Sequence, residues 1–297
     1  MSVPVSHRQS LDLARFLAAF GVVWAHAHGA PDDWVGHLAL GLFLVLTASL
    51  AGQSAQRAGG SYPVLARAER ILVPWLAWSA FYRVVYFFVS DSPDRFALLT
   101  DPWSLLYGSV VHLWFLPFVA LAMLAVGPVV RRVRTPAALI GATAGLLALS
   151  LPLLALHSAG HLVAPLAQWS YSVPLYGLGL LLAIARPMGM ALWPVAASLV
   201  MTVFSVVLAA PDPWPWTLAG AVLLFEIFWR LPLRGRLLPL MGQAAFGIYL
   251  SHLFFLFAGY KILGSDADRG LLSVLAFLAA WGAMMLMRRV PGLNRLI

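Results

Sequence analysis

The chain contains no cysteine. Disulfides, thiolate metal sites and cysteine nucleophiles are therefore excluded together. Charge is almost as scarce. Only 10% of the 297 residues are Asp, Glu, Lys or Arg, where ordinary soluble domains carry about a quarter. Lys261 is the single lysine, and 11 acidic residues face 19 basic ones. So little charge excludes a soluble enzyme, a disordered chain and a nucleic-acid module. Several motifs are missing as well. There is no glycine-rich phosphate loop and no Gly-x-Ser-x-Gly, and the one His-x-x-x-His, from His157 to His161, falls in or beside an outer loop. No metal site is expected.

What is present is hydrophobic length. Apolar residues make up 62% of the chain, and the mean hydropathy is +0.87. A spanning helix needs about 20 apolar residues. About ten such stretches are legible, at 11–29, 35–51, 71–89, 109–130, 137–156, 168–185, 191–210, 216–229, 239–259 and 270–287. Breakers such as Gly59-Gly60 and Pro211-Asp212-Pro213 separate them. No intervening loop is long enough to fold by itself. The expected architecture is all-α and polytopic, with residues 1–297 forming one integral-membrane domain in the cytoplasmic membrane.

Sidedness follows from where the basic residues fall. Alternating the ten spans puts fourteen of the 19 basic residues on one side, among them Arg8, Arg67, Arg70, Arg186 and Arg288. The other side receives Arg95, Lys261 and Arg269 and most of the acids, including Asp32, Asp91, Asp94 and Asp212. The basic side, with both termini, is expected to be cytoplasmic.

Ionisable groups within spans are costly and become functional candidates. The first span carries Asp12, Arg15 and His26. Arg15 and His26 are eleven residues apart, which returns them to nearly the same helix face, roughly 16 Å apart along the axis. Ala19 and Val22 lie between them, and Asp12 is one turn before Arg15. One face thus offers a cation, a slim apolar stretch and an imidazole. An interfacial Asp12–Arg15 ion pair beside a satisfied core histidine is the plain alternative. Arg67 and Arg70, three apart before the third span, share a face and can reach one anion. They are equally suited to anchor topology. Arg83, His112 and His252 are expected deep in the outer half, with Arg83, His252 and His26 at roughly 18–22 Å from the basic edge. Their common depth suggests a shared cavity open to the outside.

These residues stand in strings that resemble the membrane-bound acyltransferase 3 family. Leu11-Asp12-Leu13-Ala14-Arg15, followed by His26, is similar to its first-span Arg-x10-His signature. Arg67-Ala68-Glu69-Arg70, followed by Ile71-Leu72-Val73-Pro74-Trp75, is similar to its Arg-x-x-Arg motif. His112-Leu113-Trp114-Phe115-Leu116 and Gly247-Ile248-Tyr249-Leu250-Ser251-His252 are similar to later strings of the family. The similarity runs from about residue 8 to 288. One departure is Ala14, where the family commonly has glycine.

The resemblance implies O-acylation of a carbohydrate or glycolipid hydroxyl, with acetyl-CoA or another acyl-CoA as donor co-substrate and no permanently bound cofactor. It implies His26, Arg15 and Asp12 as the catalytic group, with Asp12 orienting Arg15. Arg67, Arg70 and Arg15 would hold the donor. Arg83, His112, Trp114, Tyr249 and His252 would line the acceptor's side. The partners implied are acyl-CoA, the acceptor and the lipid bilayer, without nucleic acid. A transporter or exporter of a sugar or lipid-linked intermediate, without chemistry, is the alternative that buried charges also suit.

Overall fold

The computed structural model describes residues 8–27, 33–89, 101–264 and 266–297. Asp32, Asp91, Asp94 and Arg95, counted above on the acid-rich side, lie outside the described residues. Ten long helices follow one another: α1 (Gln9–His26), α2 (Asp33–Arg57), α3 (Val64–Val89), α4 (Phe115–Arg132), α5 (Pro136–Ser158), α6 (Leu166–Ala185), α7 (Leu192–Ala209), α8 (Trp216–Arg230), α9 (Leu238–Leu263) and α10 (Arg269–Met287). A single turn at Ser104–Tyr107 and a 3-10 turn at Val111–Trp114 lead into α4. The fold is helical throughout the described residues, as expected.

Seven of these helices are long and apolar enough to cross a membrane, against the ten spans expected. The other three, α1, α6 and α8, depart for reasons written in their residues. α1 carries Asp12, Arg15 and His26. The first half of α6 carries Gln168, Ser170, Tyr171 and Ser172. α8 has only 15 residues. Polar groups are tolerated at membrane depth where protein rather than lipid surrounds them, and α6 is the case in point. From Leu178 to Ala185 every residue is buried.

α2 is the central helix, packing on α1, α4, α6 and α8. Its approach to α6 is close enough that a Cβ at Gly179 would overlap the backbone of Val45. Small residues permit such contacts between membrane helices, where apolar burial alone supplies no force. Two hydrophobic cores result. One is built around Leu44, Leu175 and Phe225, mostly from α2, α4, α6 and α8. The other is built around Phe16, Tyr82, Ile248 and Phe277, from α1, α3, α9 and α10. Phe43, Ile71 and Phe115 pack against both. They mark a seam between the cores.

The start of α1, the loop after α8, the start of α9 and the end of α10 meet at one end of the bundle. Arg8 Nη1 donates to the Trp229 carbonyl at 2.7 Å, and the Gly235 N–H donates to Gln9 Oε1 at 2.7 Å. Arg288 donates to Gln243. Trp229 lies between two guanidinium groups, Arg8 at 4.4 Å and Arg186 at 4.1 Å from its ring. The sequence points to Arg230 as the partner of Glu226. The buried carboxylate instead pairs more closely with Arg186, and Arg230 stands at 3.4 Å. A tertiary contact here outranks the i,i+4 pair.

The close α2–α6 approach makes a direct prediction. Gly179→Leu should force the helices apart and destabilise the protein by about 1–3 kcal/mol, the usual cost of overpacking. Gly145→Leu, where a side chain meets nothing within 4 Å, should leave stability unchanged. Thermal unfolding of both variants in detergent, read by size-exclusion recovery, checks the contrast.

Candidate functional site

α1 delivers the two residues expected to act together. Asp12 is buried and 3.4 Å from Arg15. It packs so tightly on α9 that a Cβ at Gly242 would overlap its carboxylate. The pair is therefore fixed by helix packing rather than left to choose a rotamer. Asp12 borders neither of the cavities described below, and it pairs with Arg15, which borders one of them.

Arg15 lines a cavity of about 430 Å³ together with Arg67 and Arg70. α3 packs mainly on α4 and is otherwise peripheral, yet its first two turns bring both arginines to this wall. Neither has an ion-pair partner among the described residues. Ser54, Thr47 and Tyr62 add hydroxyls to the same cavity, and the sequence reading missed all three. Burial pushes the Tyr62 phenol up from its ordinary value, and the Arg67 charge pulls it back. Tyr62 is therefore a neutral hydroxyl at physiological pH. Three guanidinium groups with nearby hydroxyls give this cavity the charge and hydrogen-bond donors that could hold an anionic group.

His26 closes α1 and lines a second cavity, of about 470 Å³, with His112, Trp114 and Tyr249. The His26 ring is exposed to it. Nδ1 lies 2.8 Å from the Val22 carbonyl. A carbonyl can only accept, so Nδ1 carries the proton, and Nε2 of the neutral ring is left as a base. His37 and Gln168 also line this cavity. Neither was singled out from sequence, although a glutamine in an apolar stretch is a usable signal.

The two cavities share four lining residues: Val22, Leu40, Phe115 and Tyr249. They meet at the seam between the two cores, with a partition one side chain thick. Of the small residues expected to line this route, Val22 does so. Ala19 is fully buried in packing.

His26, His112 and His252 converge from three elements. The His26 ring centre is 5.0 Å from that of His252 and 6.1 Å from that of His112, and His112 and His252 are 5.0 Å apart. His252 is fully buried behind His26 rather than on the cavity wall. Its Nδ1–H donates to the Tyr249 carbonyl at 2.6 Å, and its Nε2 has no protein partner. The Tyr249 hydroxyl donates to the His112 carbonyl, tying the 3-10 turn to α9. The Tyr82 hydroxyl does the same for the Leu250 carbonyl at 2.8 Å. No metal-binding group of three His, Cys, Asp or Glu side chains occurs among the described residues.

Arg83 stands apart. It borders neither cavity, its Nη1 is buried without a partner among the described residues, and its charge acts on Tyr107, which donates to Asp101. Depth alone had grouped it with the histidines.

Comparison with curated proteins and with solved structures returned no match. The model of a family described as an acyltransferase domain matches residues 8–288. That interval holds the arginine-lined cavity, the histidine cluster and every helix between them, and the chain accordingly belongs to the acyltransferase 3 family.

Proposed function

We propose that this membrane acyltransferase moves an acetyl group from cytoplasmic acetyl-CoA to a carbohydrate or glycolipid hydroxyl presented on the opposite side. One observation carries the reading. A cationic cavity and a histidine-lined cavity meet end to end across four shared residues. A donor with an anionic head and a thin thioester arm suits the first, and an uncharged hydroxyl acceptor suits the second.

In this mechanism Arg67, Arg70 and Arg15 hold the phosphates and the polar part of the donor. The arm passes the Val22–Leu40–Phe115–Tyr249 partition and brings its thioester to His26. His26 Nε2 takes the proton of the acceptor hydroxyl, whose oxygen attacks the thioester carbonyl. The carbon–sulfur bond breaks and the ester forms. The CoA thiolate then takes the proton back from His26, which leaves the ring neutral and the balance closed. The Nδ1–H bond to Val22 keeps Nε2 available throughout. Trp114 and Tyr249 offer flat faces to the acceptor.

His26→Ala should lower transfer by about 10²- to 10⁴-fold, the usual worth of a general base, in a CoA-release assay on purified protein. Turnover at the parent rate would remove His26 from the chemistry. The double variant Arg67→Ala/Arg70→Ala should raise KM for acetyl-CoA by about tenfold or more, as lost charge-assisted hydrogen bonds require, with a smaller change in kcat. An unchanged KM would leave the pair as a topology anchor. Sidedness is testable because the chain has no native cysteine. A membrane-impermeant maleimide added to intact cells should label Ala25→Cys, in the histidine-lined cavity, and not Ser54→Cys, in the cationic one. The reverse pattern would invert the proposed orientation.

A further inference from the structure

A third cavity lies outside the reaction path. It is a groove of about 460 Å³ between α4, α5 and α6, and its wall is apolar side chains almost throughout. Phe118, Ala125, Ala142, Leu146, Trp169 and Tyr176 define it. α4 and α5 are consecutive but scarcely touch: α5 leans on α6, while α4 leans on α3 and α2 and meets α6 only lightly. The gap opens sideways, since Leu121 and Leu149 on its lips are 49% and 54% exposed. Along α4 it runs from Phe118 to Val129, a rise of roughly 16 Å. An apolar space of that length, opening where the bilayer core lies, excludes water and takes a hydrocarbon chain.

Its outer end adjoins the histidine-lined cavity. Trp114 and Gln168 belong to that cavity, while Phe118 and Trp169 belong to the groove. Only this aromatic partition separates them. Phe118 is 6.1 Å from Trp114 and 5.9 Å from Trp169, ring centre to ring centre. Two buried polar atoms at the junction have no partner among the described residues: Gln168 Oε1, an acceptor, and Trp169 Nε1, a donor. Buried polar atoms find partners as a rule. A head group that satisfies both must donate one hydrogen bond and accept another. A sugar hydroxyl does both. A phosphocholine head has no donor for Gln168.

We propose that the groove holds the hydrocarbon tail of a glycolipid acceptor, whose sugar reaches His26 past the Trp114–Phe118–Trp169 partition. The assignment rests on the reading of the histidine-lined cavity as the acceptor's site. It adds that the acceptor enters laterally from the membrane and is recognised by its tail as well as its sugar.

The test uses full-length protein in phosphatidylcholine nanodiscs. The probe is hexadecyl β-D-glucoside with a diazirine in its tail, and a diazirine-tailed phosphatidylcholine is the comparison. The glucoside should crosslink to α4, α5 and α6 peptides, and phosphatidylcholine should not. Ala125→Trp, which fills the groove from an exposed position, should cut that labelling about tenfold. Ala142→Trp should do the same from the opposite wall, and Gln168→Leu should weaken glucoside labelling selectively. Equal labelling by the two probes would make the groove an ordinary lipid contact and overturn the proposal. Labelling that survives both tryptophan variants, or falls elsewhere, would overturn it too. Crosslinking needs no turnover, so His26→Ala should label normally even if it transfers nothing. Equally fast transfer to tail-less methyl β-D-glucoside would sink the groove assignment while leaving the acyl-transfer reading intact.

Discussion

An ionisable side chain cannot be left facing hydrocarbon, and the arrangement of this bundle follows from that constraint. Transfer of such a group into a membrane is costly at any depth near the centre. Arg15, His26, His112 and His252 must therefore be enclosed by other helices. Enclosing them divides the packing into two cores, with Phe43, Ile71 and Phe115 bridging the division. The two cavities that hold Arg15 and His26 meet along this division, since Phe43 and Ile71 line the first and Phe115 lines both. The seam is the cost of carrying polar groups inside an apolar protein and also the place where a ligand can enter.

The same constraint explains why three helices fall short of membrane-spanning composition. α1 carries ionisable residues and α6 carries amides and hydroxyls, so both must be surrounded by protein. α2 and α9 pack closely on α1, and α2, α4 and α5 all pack on α6. α3 is the opposite case. It is apolar and largely exposed, and the two arginines it gives to the cationic cavity, Arg67 and Arg70, lie in its first two turns. A helix that offers ligand contacts only at its end need not be central.

Much of this was legible in the sequence because helical periodicity is local. Eleven residues from Arg15 to His26 fix their relation along one face, and the structure places each on a cavity wall. The Arg67–Arg70 spacing likewise survives intact. What was not legible is lateral position. Arg83 is expected at the histidines' depth, yet its charge acts on Tyr107 rather than on them. His252 is at the right depth too, yet it stands behind His26 rather than on the wall. Glu226 pairs with its helical neighbour Arg230 as expected, but also with Arg186, forty residues away. Each of these depends on which helix lies next to which, and that is set by small-residue contacts such as Gly179 on Val45 and Gly242 on Asp12. A sequence pattern of period 3.6 does not contain that information.

The partition between the two cavities would let the bundle, as proposed, join two compartments without becoming a pore. Val22, Leu40, Phe115 and Tyr249 present an apolar constriction between a cationic mouth and a histidine-lined one. Ions and water gain nothing by entering such a gap, because its wall offers almost no hydrogen-bond partner to replace their hydration. Tyr249 is the one residue there with a hydroxyl, and that hydroxyl is committed to the His112 carbonyl. A slim chain with apolar and amide segments, held at one end by its charge, meets no such penalty. In the proposed mechanism such an arrangement would discriminate by the shape and anchoring of the donor rather than by a moving gate. His26 stands one helical turn beyond Val22, so the proposed base would act only on a group that has already crossed the constriction.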